Sequence, residues 1–373
     1  MATYTINYDD MRTNHEVSSS KDNEFVVYKY RYPILDAKYN NFRSVICKDD
    51  RVVCFSPPKS ISYSEFCDLH TTGNSNVIAE EYIEGTMINA FWDGERWRIS
   101  TRSKIDAVGS FFDTNGGFDK MVAETLVECK LDLNTLNPEH CYSFVMQHPD
   151  NRIVSAKAVK SLFLIATYQI DSTTSESGAS IRVVERDATL WASTAVRFPA
   201  ILDWALTKRI ANEPYSMMGV VFKNVVSGDR CKLRNPFYEY VRRLRGNQTK
   251  LKYHYFELMK MRKINEYLKY FPEHTVQFSE FREKLHTYTK GLYHLYVSVF
   301  IRKTEKIESH RPQRTALTKL HSFYKTVLVQ QKLSVNLFRV INYVNLLPSA
   351  ILMAETREGK TSAQLEEEWI NNA

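Results

Sequence analysis

The chain has 373 residues, more than one hydrophobic core usually organises, so two domains are expected. Its composition, 43% hydrophobic and 25% charged, is ordinary for a water-soluble globular protein, and no apolar run reaches the length of a membrane-spanning helix. The net charge of +7 is unevenly spread: from Lys232 onward 25 Lys and Arg stand against 13 Asp and Glu, whereas the preceding residues carry 25 against 30. A basic C-terminal part suits a polyanionic partner, although solvated helix faces would give the same count. The opening Met-Ala-Thr-Tyr-Thr-Ile lacks the basic and apolar segments of a secretory signal, so a reducing, cytoplasmic compartment is expected. The six cysteines, Cys47, Cys54, Cys67, Cys129, Cys141 and Cys231, show no paired or Cys/His ligand spacing, which favours buried thiols over a metal site.

In chain order, the first part reads as strands and tight turns. Phe25–Tyr30 is a strand by its β-branched and aromatic content; Phe42–Cys47 and Arg51–Phe55 form a pair across Lys48-Asp49-Asp50. Thr86–Trp92 and Glu95–Thr101 make a hairpin around Asp93-Gly94, a dipeptide suited to a two-residue turn. Phe118, Met121, Val122, Leu126 and Val127 recur at helical spacing and predict a helix over 117–130. Strands follow at Tyr142–Met146, Ser161–Tyr168, Met218–Phe222 and Arg230–Arg234, with a Ser/Thr-rich surface loop over Asp171–Ser180.

After residue 236 the period changes. Phe278, Phe281, Leu285, Tyr288, Leu292, Leu295 and Val299 step by three and four along one long helix. Leu317, Leu320, Tyr324 and Val327 mark a second; Leu333, Leu337, Val340, Ile341 and Val344 a third, ended by Pro348. Pro272 and Pro312 are expected breaks, and Glu366–Ala373 a frayed tail. The fold class expected is α+β: a domain of antiparallel sheets with flanking helices over residues 1–235, then an all-α basic domain over 236–373.

Several segments, taken together, resemble the ATP-dependent RNA ligases and mRNA-capping-type nucleotidyltransferases. They are Arg43-Ser-Val-Ile-Cys, Val53–Ser60 with its Pro57-Pro-Lys, Glu81-Tyr-Ile-Glu-Gly-Thr-Met, and Ser143-Phe-Val-Met-Gln-His-Pro-Asp-Asn-Arg-Ile-Val154. Met218-Gly-Val-Val and Lys232-Leu-Arg234 complete the order, over about residues 40–235. The basic helical part is similar to the C-terminal domains of phage-type RNA ligases, and the forms Glu-Gly-Thr-Met-Ile-Asn and Cys-Tyr-Ser-Phe-Val resemble proteins of large cytoplasmic DNA viruses. That second resemblance implies host cytoplasm or virion as the location.

The resemblance implies a lysine that attacks the α-phosphate of a nucleoside triphosphate, carboxylates that hold a divalent metal, and cations that neutralise phosphate. This chain departs at the chemical positions. The lysine's place is taken by Tyr82, and the two glutamates' places by Ser143 and Met218. Losing a nucleophile costs on the order of 10⁶-fold in rate, so a catalytically degenerate pocket is expected, with no metal site. The positions kept, and so expected to hold nucleotide or phosphate, are Arg43, Lys59, Glu84, Gly85, Arg102, Lys232 and Arg234, with Tyr82 filling space or stacking on a base. If the pocket functions, ATP or GTP with Mg²⁺ is the ligand class implied.

Three residue groups carry sharper alternatives. Lys59, on a proline-stiffened turn, is the candidate displaced nucleophile and otherwise a phosphate contact. His148 is a general base or, more simply, a hydrogen-bonded loop histidine. Arg242, Arg243, Arg245, Lys250 and Lys252, interleaved with Tyr238, Tyr240, Tyr253 and Tyr255, form an RNA-binding segment if the tyrosines stack on bases, or an ordinary helix if they face a core. Three functions follow: an RNA-binding degenerate ligase; an active RNA ligase or capping-type enzyme using Lys59; or a viral scaffold.

Overall fold

The computed structural model describes residues 1–13, 15–33, 36–70, 75–109, 117–172, 177–306 and 314–356. The chain divides into two units, Met1–Arg245 and Gly246–Ala373. The expected α+β organisation holds, with antiparallel strands in the first unit and only helices among the described residues of the second. The division falls after the helix Pro236–Arg245, which belongs to the first unit, whereas the sequence reading begins the helical domain at 236.

Thirteen strands appear among the described residues of the first unit. They are β1 (Thr3–Asn7), β2 (Val17–Asp22), β3 (Phe25–Tyr30), β4 (Val45–Lys48), β5 (Arg51–Phe55), β6 (Val77–Glu81) and β7 (Thr86–Trp92). Then come β8 (Trp97–Thr101), β9 (His140–Gln147), β10 (Ser161–Asp171), β11 (Gly178–Val184), β12 (Gly219–Asn224) and β13 (Arg230–Arg234). The helices are α1 (Tyr8–Thr13), α2 (Tyr63–Leu69), α3 (Phe118–Glu128), α4 (Ala188–Trp191), α5 (Trp204–Arg209) and α6 (Pro236–Arg245). Three antiparallel sheets result, ordered β1-β11-β10-β9-β7-β8, β13-β12-β6 and β2-β3-β4-β5.

Strand alternation gives the six-stranded sheet two buried faces. One packs Phe91 and Cys141 against Phe25, Val45 and Phe55 of the four-stranded sheet. The other packs Ile88 and Phe144 against Met121 and Val122 of α3. A third core gathers Phe66 of α2 with Val77, Val220, Phe222 and Cys231 under the three-stranded sheet. Helix α2 starts where Ser62 accepts the Glu65 N–H at 3.2 Å, the side-chain cap that a Ser-x-x-Glu sequence favours. Of the six free cysteines, five are buried and Cys67 is half-buried.

Several local expectations need correction. The β4–β5 turn is the two residues Asp49-Asp50, both at positive φ, but Phe42 caps a short 3₁₀ turn and lies outside β4. The β7–β8 hairpin closes on the pair Trp92–Trp97 around a four-residue loop, not a two-residue turn. The Asp93 carboxylate accepts the N–H groups of Glu95 and Arg96, both at 2.9 Å, and that bonding holds the longer loop. Gly178–Ser180, expected in a loop, belong to β11, and β1, β2 and β6 lay outside the strands expected.

The second unit contains α7 (Leu251–Lys260), α8 (Ile264–Tyr270), α9 (Thr275–Tyr296), α10 (Arg314–Phe323), α11 (Leu337–Leu346) and α12 (Ser349–Glu355). Helix α9 buries Phe278, Leu285, Tyr288, Leu292 and Tyr296, while Phe281, Leu295 and Val299 of the predicted stripe are only half-buried. Pro272 opens a 3₁₀ turn, Pro348 separates α11 from α12, and Leu333 precedes its helix. Pro312 and the tail Glu366–Ala373 lie outside the described residues. No single helix among the described residues is long and apolar enough to cross a membrane; α11 and α12 pass such a test only as a pair, bent by 119°.

Candidate functional site

The three-stranded sheet and the six-stranded sheet enclose a cavity of about 240 Å³. Its polar wall is set by register. Lys232 lies opposite Val221, Arg234 opposite Gly219 and Arg230 opposite Lys223, so the three basic residues of β13 share one face at intervals of two. The apolar wall comes from Met87 of β7, Val145 of β9 and Ile165 of β10. Ile165 sits where the β9–β10 register slips between Leu164 and Ala166, a bulge that re-aims one side chain.

The segment 82–85 crosses the cavity between β6 and β7 and is fastened at both ends. The Tyr82 N–H donates to the Gly219 carbonyl at 3.0 Å. Glu84 is buried, and its carboxylate accepts the N–H groups of Val154 at 2.6 Å and Ser155 at 3.2 Å. Gly85, at φ +153°, passes so close to β9 that a Cβ would meet the Met146 carbonyl oxygen at 2.4 Å. Only glycine fits there. Asn151, which donates to Thr86 Oγ1 at 2.7 Å, adds a second tie between the same segments.

The charges lining the cavity are unbalanced. Glu80 is buried and is taken by Lys223, which touches it, and by Arg186 at 3.5 Å. Glu84 is taken by the backbone. Arg234 and Arg242 both reach Glu239 at 3.4 Å. Arg43, Arg230 and Lys232 have no carboxylate partner among the described residues, and the buried Arg230 has an Nε with no hydrogen-bond partner at all. Lys232 Nζ stands 4.7 Å from the centroid of the Tyr82 ring. Burial first, then the guanidiniums of Arg230, Arg43 and Arg234, push the Lys232 pKa down to about 6. Burial first, then the guanidiniums of Arg230 and Arg102, lower that of Arg43.

A divalent metal held by the protein does not fit this donor set. Met218 lines the cavity where the resemblance expects a glutamate. Ser143 does not line it: it is fully buried, with its hydroxyl donating to Asn89 Oδ1 at 2.8 Å, and Val145, two residues on along the same strand face, lies at the wall instead. Of the three carboxylates present, two are already engaged, and no group of three potential ligands occurs among the described residues.

The residues singled out from sequence are thus sorted by position. Arg43, Tyr82, Glu84, Gly85, Lys232 and Arg234 line one cavity. Lys59 and Arg102 do not. The Lys59 N–H donates to the Asn40 carbonyl at 2.8 Å, and its neighbours Pro57 and Pro58 line a second cavity of about 170 Å³. Arg102 lays its guanidinium over the Tyr30 ring at 5.3 Å and donates to the Arg43 carbonyl at 3.3 Å. His148 is buried; its Nδ1 accepts the Asp150 N–H at 3.1 Å, leaving Nε2–H to donate to Glu124 at 3.2 Å. That is a structural histidine.

The basic segment is divided between the two units. On α6, Tyr238, Val241 and Leu244 are buried, Arg243 and Tyr240 are exposed, and Arg242 turns to the cavity. Arg245 is half-buried. In the second unit Lys250 is exposed, the Lys252 ammonium donates to the Thr356 carbonyl, and Tyr255 is a core residue. Sequence reasoning missed Arg230, Glu80, Lys223 and Tyr238 as cavity residues. For Arg230 a signal existed in the alternation Arg-Cys-Lys-Leu-Arg along β13.

Comparison with known proteins adds the following. No protein-family model matches the chain. It is 23% identical over 278 residues to the "Immediate-early protein ICP-46 homolog" of Invertebrate iridescent virus 6, covering 68% of this chain. The chain spans 59% of that viral protein's length. Among solved structures it is similar to two forms of an archaeal ATP-dependent RNA ligase, at 11% and 12% identity with TM-scores of 0.39 and 0.41. These alignments cover 91% and 92% of this chain and 76% of each ligase.

Proposed function

We propose that this chain is a ligase-type nucleotidyltransferase-fold protein that holds the phosphates of a nucleotide, ATP or GTP, in the cavity and engages RNA through its basic segment. It has lost lysyl-nucleotide formation at position 82. The observation that carries this reading is the convergence of Arg43, Arg230 and Lys232 on one cavity without a carboxylate partner. Like charges held together in a low-dielectric site repel strongly, and a multiply charged anion relieves that repulsion while satisfying the unpartnered Arg230 Nε. Tyr82 is not an amine, and of the three carboxylates lining the cavity Glu80 and Glu84 are already engaged. The pocket therefore keeps the binding half of the family's chemistry.

Titration calorimetry on the whole chain with ATP, GTP and tripolyphosphate tests this. Binding is expected, weakened at least about tenfold by Arg43→Met or Arg230→Met, the loss of one charge-assisted contact. No measurable binding of any of the three at low salt overturns the reading. The RNA part fails separately if single-stranded RNA does not bind at low salt.

A further inference from the structure

Outside the cavity, one cluster of cations in the first unit is left without counter-charge. The ammonium of Lys29, on β3, donates to Ser103 Oγ at 3.2 Å in the turn that follows β8, and Arg102 and Lys104 flank that serine. The turn is fixed from within: the Thr101 N–H donates to the Lys104 carbonyl at 2.9 Å, and Thr101 Oγ1 accepts the Lys104 N–H at 3.2 Å. Arg102 and Lys104 are exposed, and Lys29 is half-buried. None of the three has a carboxylate partner among the described residues. The acidic side chains of the adjoining segments are committed elsewhere. Glu24, Asp93 and Asp106 pair with Arg98, and Asp22 accepts the Ile105 N–H at 3.1 Å. Burial first, then the charges of Arg102 and Lys104, lower the Lys29 pKa, as crowding of like charges requires.

We propose that Lys29, Arg102 and Lys104 form a phosphate-binding patch that holds single-stranded RNA beside the cavity. This rests on the proposed binding of RNA by the chain and gives that RNA a second contact surface, separate from the basic segment. A cluster of unpaired cations repels itself, and each phosphate laid on it replaces repulsion by attraction and releases counterions. Two observations favour RNA over other polyanions. The Arg102 guanidinium lies over the Tyr30 ring at 5.3 Å, and Tyr32, two residues on, is 84% exposed. Flat guanidinium and phenol groups among phosphate-binding cations suit the stacking of unpaired bases, which an anionic lipid surface does not offer. The patch is also tied to the cavity. Arg102 donates to the Arg43 carbonyl at 3.3 Å, and its own carbonyl accepts the Ser44 hydroxyl at 3.0 Å. The Arg43 side chain lines the cavity, so a strand on the patch passes next to the phosphates bound there.

Fluorescence anisotropy of the whole chain with a labelled single-stranded RNA, at several salt concentrations, compares the double variant Lys29→Gln with Lys104→Gln against the parent. The expected result is weaker binding at low salt, with the slope of log affinity against log salt flatter by about 0.7 for each lysine removed. Lys104→Gln alone, at an exposed position, is expected to flatten it by about 0.7. Lys130→Gln keeps the parent's slope, since Lys130 follows α3 on the opposite side of the six-stranded sheet. A urea midpoint near the parent's shows that each variant is folded. RNA bound by both patch variants with the parent's slope overturns the proposal and leaves the RNA reading standing. So does an equal loss of binding to vesicles rich in anionic phospholipid, which would make the patch a membrane-surface site. Absence of RNA binding by the parent chain overturns both.

Discussion

The side-chain nitrogen of Lys232 lies 4.7 Å from the ring centroid of Tyr82, with no carboxylate partner among the described residues to hold it as an ammonium. Charge in this cavity is therefore conditional on what occupies it. A bound anion favours the ammonium, so the pKa rises from about 6 on binding. Between the free and bound values the complex carries a proton that the free protein lacks. Binding of tripolyphosphate at pH 7 is expected to take up a fraction of a proton, and affinity to fall as pH rises through that window. Calorimetry in buffers of different ionisation enthalpy reads the uptake directly; zero uptake at pH 7 would contradict the depressed pKa.

The same group makes a prediction about stability. An unfolded lysine titrates near 10.5, and Lys232 in the fold near 6. Across that interval the unfolded chain binds the extra proton, so stability grows with pH and is lost as pH falls toward 6. Lys232→Met removes this dependence. The variant is expected to be more stable than the parent at pH 7, with the gap narrowing as pH rises toward 9. Urea unfolding at pH 6, 7, 8 and 9 checks the trend, and a gap that widens with pH would refute it.

How much of this was legible in the sequence depends on the range of the interactions. The Asp49-Asp50 turn, β3, α3 and α9 were readable because their signals lie within a few residues. Strand β6 was not, since its Glu80 looks exposed until Lys223, far along the chain, is seen to bury it. The polar edge strand β2, with only Val17 buried, offered no alternation to read. At the site, motif order located Tyr82, Lys232 and Arg234. It could not tell that Glu84 is consumed by backbone N–H groups, nor that Arg230 joins them, because both facts depend on which segments meet.

Asp93 is expected to dominate one step of acid unfolding. Its carboxylate, buried in the β7–β8 loop, accepts Arg98 Nε at 2.6 Å besides the two loop N–H groups. Burial works against the charged form, but Arg98 and the N–H groups of Arg96 and Glu95 outweigh it and hold the pKa near 2. The folded value lies below the unfolded one, so this stability is present above about pH 3.8 and lost as pH falls toward 2. Asp93→Ala should cost about 2 kcal/mol at neutral pH, discounted because Arg98 keeps Glu24 and Asp106 as partners. The test is denaturant unfolding at pH 7 and pH 3. An equal cost at both would mean the charge is not what stabilises the loop.

Helix α6 separates two kinds of basic residue that the sequence presents as one cluster. Arg243 is exposed, free to meet a phosphate, whereas Arg242 faces the cavity and shares Glu239 with Arg234. If the basic segment engages RNA, each phosphate contact releases counterions and adds about 0.7 to the salt slope of single-strand binding. Arg243→Glu should therefore weaken RNA binding and flatten the slope by about one contact, leaving tripolyphosphate affinity near that of the parent. Arg242→Glu should do the reverse, with its larger effect on tripolyphosphate. Fluorescence anisotropy with a labelled single-stranded RNA at several salt concentrations, beside calorimetry with tripolyphosphate, distinguishes them. Equal effects of both variants on both ligands would show that α6 presents a single electrostatic surface and not two.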